Sequence, residues 1–328
     1  METSAARRPA WRVWTRRLAP WVITIAVIAI LLTKYSLAQI VEEMARGNAL
    51  AMTPVAAGLA VVSLLNVALA DHVVLHGILG RPGYLAVVRA KAASSLLDLL
   101  GYAVGHGSYA VWMARRGGTD ALTAAGIMLY VMATDLASVC VVASIAVWSG
   151  SVDVPATIRI GAPAVAALLV FFKVVGPLQP LRDRSPRVFH PWSGLPRAHA
   201  FGQLALRVLN IYFIVVAVWL AMTVFGLPVP LWAVAVYFPV VLLVGSLPIN
   251  VAGFGAVSAA WLLFEPWASG EQILAFQLLW TVFIGAAIFL RGLPFVRRMV
   301  RDIDAGAAAE IAPAGEPAQA NVGSRDPA

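Results

Sequence analysis

The chain has 328 residues, of which 61% are hydrophobic and only 12% charged, with a formal net charge of +8. Soluble domains carry about 25% charged residues, so the composition excludes an ordinary water-soluble fold. Lys and Arg fall between long apolar runs, where they set orientation and meet anionic headgroups; the basic excess therefore gives no reason to expect nucleic acid as a partner.

The first 18 residues form a basic segment carrying Arg7, Arg8, Arg12, Arg16 and Arg17. An apolar stretch follows, and Ser36-Leu37-Ala38 resembles a signal-peptide cleavage site. A retained helix is the preferred reading because further membrane segments follow at once, and either reading starts with the N-terminus inside. Runs at 19–38, 51–70, 121–148, 157–176, 201–225 and 272–292 are long enough to cross a hydrocarbon core of about 30 Å, which predicts six spans. Two more apolar regions, 92–113 and 231–264, are interrupted. The first contains Gly101 to Tyr109, including Gly105-His106-Gly107, and the second contains Leu247-Pro248, Asn250 and Gly253-Phe254-Gly255. Gly and Pro at this density break a helix. Residues 302–328 are Ala-rich with Gly and Pro, and read as a disordered cytoplasmic tail.

The basic residues decide what the interrupted regions do. If each dips into the membrane and returns on the side it entered, only Lys34, Arg46 and Arg159 fall near the outer face; 20 of the 24 Lys and Arg lie in the cytoplasmic segments and Arg325 in the tail. A full crossing by 92–113 would put the arginine-rich loop at 177–200 outside, against the positive-inside bias. Broken backbone at membrane depth must be buried in protein or line a wet cavity. The expected fold is therefore all-α: a polytopic helix bundle of about six spans plus two re-entrant helical hairpins. The membrane domain covers 19–301. Its halves, about 19–148 and 157–301, would each hold two spans, a hairpin and a third span, which makes an inverted repeat. Both termini would face the cytoplasm.

Polar residues inside apolar segments are the candidate site. Asp98 would contact a headgroup or couple protons, or else pair with Arg89, Lys91 or Arg115. His106 would relay protons or touch a headgroup, or satisfy broken backbone. Asn250 has the corresponding place in the second hairpin, as a helix cap or a headgroup contact. Asp135 follows the first hairpin, with Arg207 or His106 as its partner. Arg89, Lys91, Arg115 and Arg116 flank the first hairpin and suit a phosphate, or serve topology alone. Gly105, Gly107, Gly253 and Gly255 are read as hairpin glycines that need positive φ or close helix approach. His72 and His76 beside Asp71 read as an interfacial polar face rather than a metal pair, and Asn66 and Asn210 as interhelical partners. The lone Cys140 reads as a packing residue. No metal, cofactor or catalytic constellation is expected.

Leu247-Pro248, Gly253-Phe254-Gly255, Gly270-Glu271 and the apolar helix ending in Arg291 resemble the lysylphosphatidylglycerol synthase transmembrane region, the flippase-like domain family. The segment from Leu97-Asp98 to Arg115-Arg116 matches the family's first hairpin, and the resemblance covers about residues 15–300. Ser108 and Ser258 stand where the family commonly carries acids. The resemblance implies a lipid translocase that moves or presents a phospholipid or polyprenyl-linked lipid, with a membrane lipid of anionic headgroup as its partner. It would act in a cytoplasmic (inner) membrane of bacterial type, without an aminoacyl-transferase domain of its own. Two alternatives stay open: a membrane-embedded lipid-modifying transferase, and a non-catalytic partner that presents lipid to a soluble transferase.

Charge parity makes a topological prediction. With Cys140 replaced by Ala, single cysteines at Gly118 and Ser193 label with an impermeant maleimide only from the cytoplasm, and one at Ser269 only from outside. Labelling of position 118 from outside would make 92–113 a full crossing and end the inverted-repeat expectation.

Overall fold

A computed structural model describes residues 10–99, 102–149, 156–175, 183–246 and 254–311, and these are helical with no strand. In chain order the helices are α1 (Ala10–Lys34), α2 (Leu37–Arg46), α3 (Ala49–Leu79), α4 (Tyr84–Asp98), α5 (Tyr102–Gly117), α6 (Ala121–Trp148) and α7 (Ala156–Val175). They continue with α8 (Pro186–Gly194), α9 (Arg197–Phe225), α10 (Leu231–Ser246), α11 (Ala256–Trp261) and α12 (Gly270–Ile311). Among the described residues α3, α6, α9 and α12 are long and apolar enough to cross a membrane, and α1 with α2, bent by 85°, makes a fifth if counted as one span. The chain is thus a polytopic helical membrane protein.

The helix boundaries follow local chemistry. Asp120 caps α6 by accepting from the backbone N–H of Leu122 (3.0 Å) and Thr123 (3.1 Å). The Thr123 hydroxyl also donates to it, and these donors, the hydroxyl foremost, hold the exposed Asp120 carboxyl below its ordinary range. Helices α3 and α9 end on Gly80 and Gly226, both in the left-handed region.

Several boundaries differ from the sequence expectation. Helix α3 runs to Leu79, well past residue 70, because Asp71, His72 and His76 continue the helix instead of ending it. The first break falls after Leu99, and Gly105-His106-Gly107 lies inside α5. In a helix the two glycines keep ordinary negative φ. Gly105 is nonetheless constrained, because a Cβ there would strike Asp98; Gly107 faces open space, which corrects its reading as a restricted turn glycine. Gly255 has φ +99° and lies against Thr24. Gly253 and Asn250 lie outside the described residues. At the C-terminal end α12 continues to Ile311, so the start of the segment expected to be disordered is helical. Trp112 of α5 donates to Asp302 there at 3.4 Å.

Packing among the described residues forms two large cores and a small cluster of Val147 with Val236. One gathers Met52, Val218, Met222, Phe264, Phe276 and Trp261, and the other gathers Val74, Val87, Trp112, Ile127 and Met299. Helix α3 lies along α9, and Asn66 of α3 donates to the carbonyl of Leu206 at 3.1 Å. Helix α12 lies against α3 and α4, while α6 lies against α9 and α10. Helix α2 rests on α12, and α8 rests on α6. From Gly270 to Asp302, α12 rises about 48 Å, more than a hydrocarbon core. At its Gly270 end Lys34 pairs with Glu265 (3.6 Å), the Tyr35 hydroxyl donates to Glu265, and Gln272 donates to Glu43 (3.3 Å).

Close approach makes specific glycines necessary. A Cβ at Gly126 would enter the backbone carbonyl of Val188, where α6 meets α8. Gly126→Ala should destabilise the folded protein by about 1–3 kcal/mol, and Gly255→Ala by a similar amount, about 1–3 kcal/mol, through backbone strain. Gly107→Ala should be neutral or mildly stabilising. Melting temperatures in one detergent check all three; a Gly126→Ala protein as stable as the parent would contradict the packing described for α6 and α8.

A buried charge network as the candidate functional site

Four charged side chains from four helices meet in the bundle. Arg207 of α9 donates through Nη2 to Asp71 of α3, and its Nη1 forms an ion pair with Asp135 of α6 at 2.8 Å. Lys91 of α4 lies 3.7 Å from the other Asp71 oxygen and 5.0 Å from the ring centroid of Tyr109 in α5. Asp71, Lys91 and Arg207 are buried, whereas the Asp135 side chain keeps 34% of its surface exposed. Of the four side chains, Asp135 is the least covered by the protein.

A guanidinium suits this place because its planar fork reaches two carboxylates on different helices at once and stays charged. A lysine would present one point charge. Charges out of water need partners, and removing one partner strands the others. The network retains unspent hydrogen-bonding capacity: Arg207 Nε has no hydrogen-bond partner among the described residues, while the Tyr109 hydroxyl lies beside Asp71. Buried polar groups in this condition mark sites that take up water or ligand. One turn from Arg207, the Thr134 hydroxyl lies 3.1 Å from Gln203 Oε1, adding a polar contact between α6 and α9.

A second group adjoins. His106 Nδ1 lies 3.1 Å from Asp98 Oδ1; an ionised carboxylate only accepts, so the imidazole N–H donates. Asp98 is part-exposed at the end of α4. Gly105 permits the contact, and Gly292 lets α12 press against the backbone of Ala92. That approach puts Arg291 in electrostatic reach of Asp98, with its Nε and Nη1 unmatched. His106 also acts electrostatically on Asp135, which links the two groups.

The partner of Asp98 is thus His106, with Arg291 acting on it at longer range. Lys91, one of the expected partners, is two helical turns away, about 10.5 Å of rise, and turns to Asp71. Lys91 accordingly leaves the set of four cations expected at one mouth. Arg89 is half-buried with no carboxylate within 4 Å among the described residues, and Arg115 and Arg116 are exposed at the end of α5. Arg115 lines a cavity of about 680 Å³ together with Val111, Thr119 and Asp120. Arg207 is the Asp135 partner that makes the ion pair.

Asp71 and Arg207 were not among the expected site residues. Asp71 sits where the apolar run ends, and Arg207 reads as one more cytoplasmic cation. The available signal was that each lies within two turns of a long apolar helix. Asp71 is buried at 1% exposure, which corrects its placement on an interfacial polar face. His72 and His76 pack ring to ring at 5.5 Å.

No protein-family model matches the chain, and no curated protein is significantly similar to it in sequence.

The network makes an energetic prediction. Arg207→Gln leaves two carboxylates without their shared cation and should destabilise the fold by about 3–5 kcal/mol. Adding Asp135→Asn should recover part of that loss. Thermal unfolding of the single and double variants measures the coupling, and strictly additive effects would show that Arg207 and Asp135 do not interact.

Proposed function

We propose that this chain is a flippase-like carrier of a cytoplasmic membrane, with an anionic phospholipid headgroup held at the Asp71–Lys91–Arg207–Asp135 network and the acyl chains kept in the bilayer. The observation that carries the reading is the buried Arg207, which joins three long membrane helices and keeps a donor in reserve. A purely structural helix clamp would have no need of unspent donors beside a part-exposed carboxylate. Lys91 supplies a second cation for a phosphate, and Asp98 with His106 lines the approach.

The element order supports an inverted repeat. Among the described residues, the long helices α3 and α6 flank the short helices α4 and α5, and the long helices α9 and α12 flank the short helices α10 and α11. The packing partners correspond as well: α12 with α3, α4 and α2 matches α6 with α9, α10 and α8. Helices α4 and α5 have 15 and 16 residues, about 23 Å of rise each, too short for a full crossing. Gly117, at the exit of that pair, faces Leu79, beside its entry. Both facts favour a re-entrant hairpin. In such carriers broken helices meet the substrate near the midplane and the halves rock against each other.

The test is translocation in proteoliposomes. Fluorescent phosphatidylglycerol in the inner leaflet should become accessible to an external quencher faster than in protein-free vesicles. Phosphatidylcholine should move more slowly, and Lys91→Gln should reduce the phosphatidylglycerol rate at least tenfold, by about the loss of one charge-assisted contact. Equal rates in protein-bearing and empty vesicles would refute a translocase.

A further inference from the structure

The network is charge-balanced. It holds two carboxylates, Asp71 and Asp135, and two cations, Lys91 and Arg207. A phosphodiester carries one negative charge, and its entry alone would leave a net charge in a largely desolvated place, which is unfavourable. We propose that the network takes up one proton, on Asp135, with each phosphodiester anion it binds. The inference rests on the carrier reading and adds to it the coupling ion and the residue that carries it.

Geometry selects Asp135. Asp71 is held by two cations, Arg207 and Lys91, and is 1% exposed. Asp135 shares Arg207 alone and keeps 34% of its side-chain surface uncovered by the protein, against 1% for Asp71. The groups acting on it are Arg207 from α9, Lys91 from α4, Asp71 from α3 and His106 from α5. Helices α7, α8 and α10 also pack near α6, and no described residue of theirs forms an ion pair with it. His106 donates to Asp98 and acts on Asp135 only through space, with no ion pair to it.

The step balances. The proton goes to an Asp135 carboxylate oxygen, and Arg207 Nη1 is released from its ion pair. That donor, together with the unmatched Arg207 Nε, then meets the phosphate oxygens. The occupied site holds Asp71 and the phosphate against Lys91 and Arg207, and stays neutral. Release of the anion restores the Arg207–Asp135 pair and expels the proton, so lipid movement and proton movement share one direction.

The experiment measures binding of dioctanoyl phosphatidylglycerol, whose phosphodiester stays monoanionic, to the purified full chain between about pH 5 and pH 8. Proton uptake is counted with an indicator dye in weak buffer. The expected result is an affinity that weakens by about tenfold per pH unit once Asp135 is ionised, with one proton taken up per lipid bound. Asp135→Asn should bind with an affinity independent of pH. Binding without proton uptake overturns the coupling while leaving the carrier reading intact. A slope that survives in Asp135→Asn, or one that His106→Gln abolishes instead, also overturns it. If wild-type protein binds no lipid at any pH, both fail. If Asp135→Asn does not fold, the wild-type proton count decides alone.

Discussion

One guanidinium sets the constraints on this bundle. In lipid, apolar helices gain little from touching each other rather than acyl chains, so association relies on close packing and on polar contacts between helices. Arg207 provides the most demanding of those contacts, because it brings α3 and α6 to α9 through two carboxylates that cannot be left without it. Lys91 adds α4 to the same point and stacks over Tyr109 of α5. The elements around the site are therefore fixed by charge neutrality as much as by shape. The apolar cores on either side, around Val218 and Phe276 and around Val87 and Trp112, fill in what the network orients.

The two ends of the bundle are built differently. At the Gly270 end, Lys34 and Tyr35 hold Glu265, Gln272 reaches Glu43, and Tyr35 packs against Gly270. These contacts join the first helices of the chain to its last. At the Asp302 end, Arg115 borders a cavity of about 680 Å³ and Trp112 donates to Asp302.

The helical membrane class was legible in the sequence because hydropathy over a long run is a strong signal that tertiary packing does not overturn. Helices α6 and α9 fall close to their apolar runs. Residues such as Asp71 were harder. A charged residue at the end of an apolar run looks like the end of the span, and only the partner at Arg207, distant in sequence, keeps the helix going inside the bundle. The glycines misled for a related reason. Density of Gly suggested a turn at 105–107, whereas the helix continues and Gly105 serves the approach of Asp98. Asp98 itself was legible as an unusual acid. Its contact with His106 comes from the approach of α4 and α5, and the nearness of Arg291 depends on α12 packing against α4, between residues almost two hundred positions apart.

The central claim is that the network holds a lipid anion. Native mass spectrometry of the protein gently released from membranes tests it most directly. The account predicts retained phospholipid that is anionic, near one per chain, and depleted when Lys91 is replaced by Gln in a protein that still folds. Retained lipid of neutral or zwitterionic headgroup, or an anionic lipid held equally well without Lys91, would contradict it.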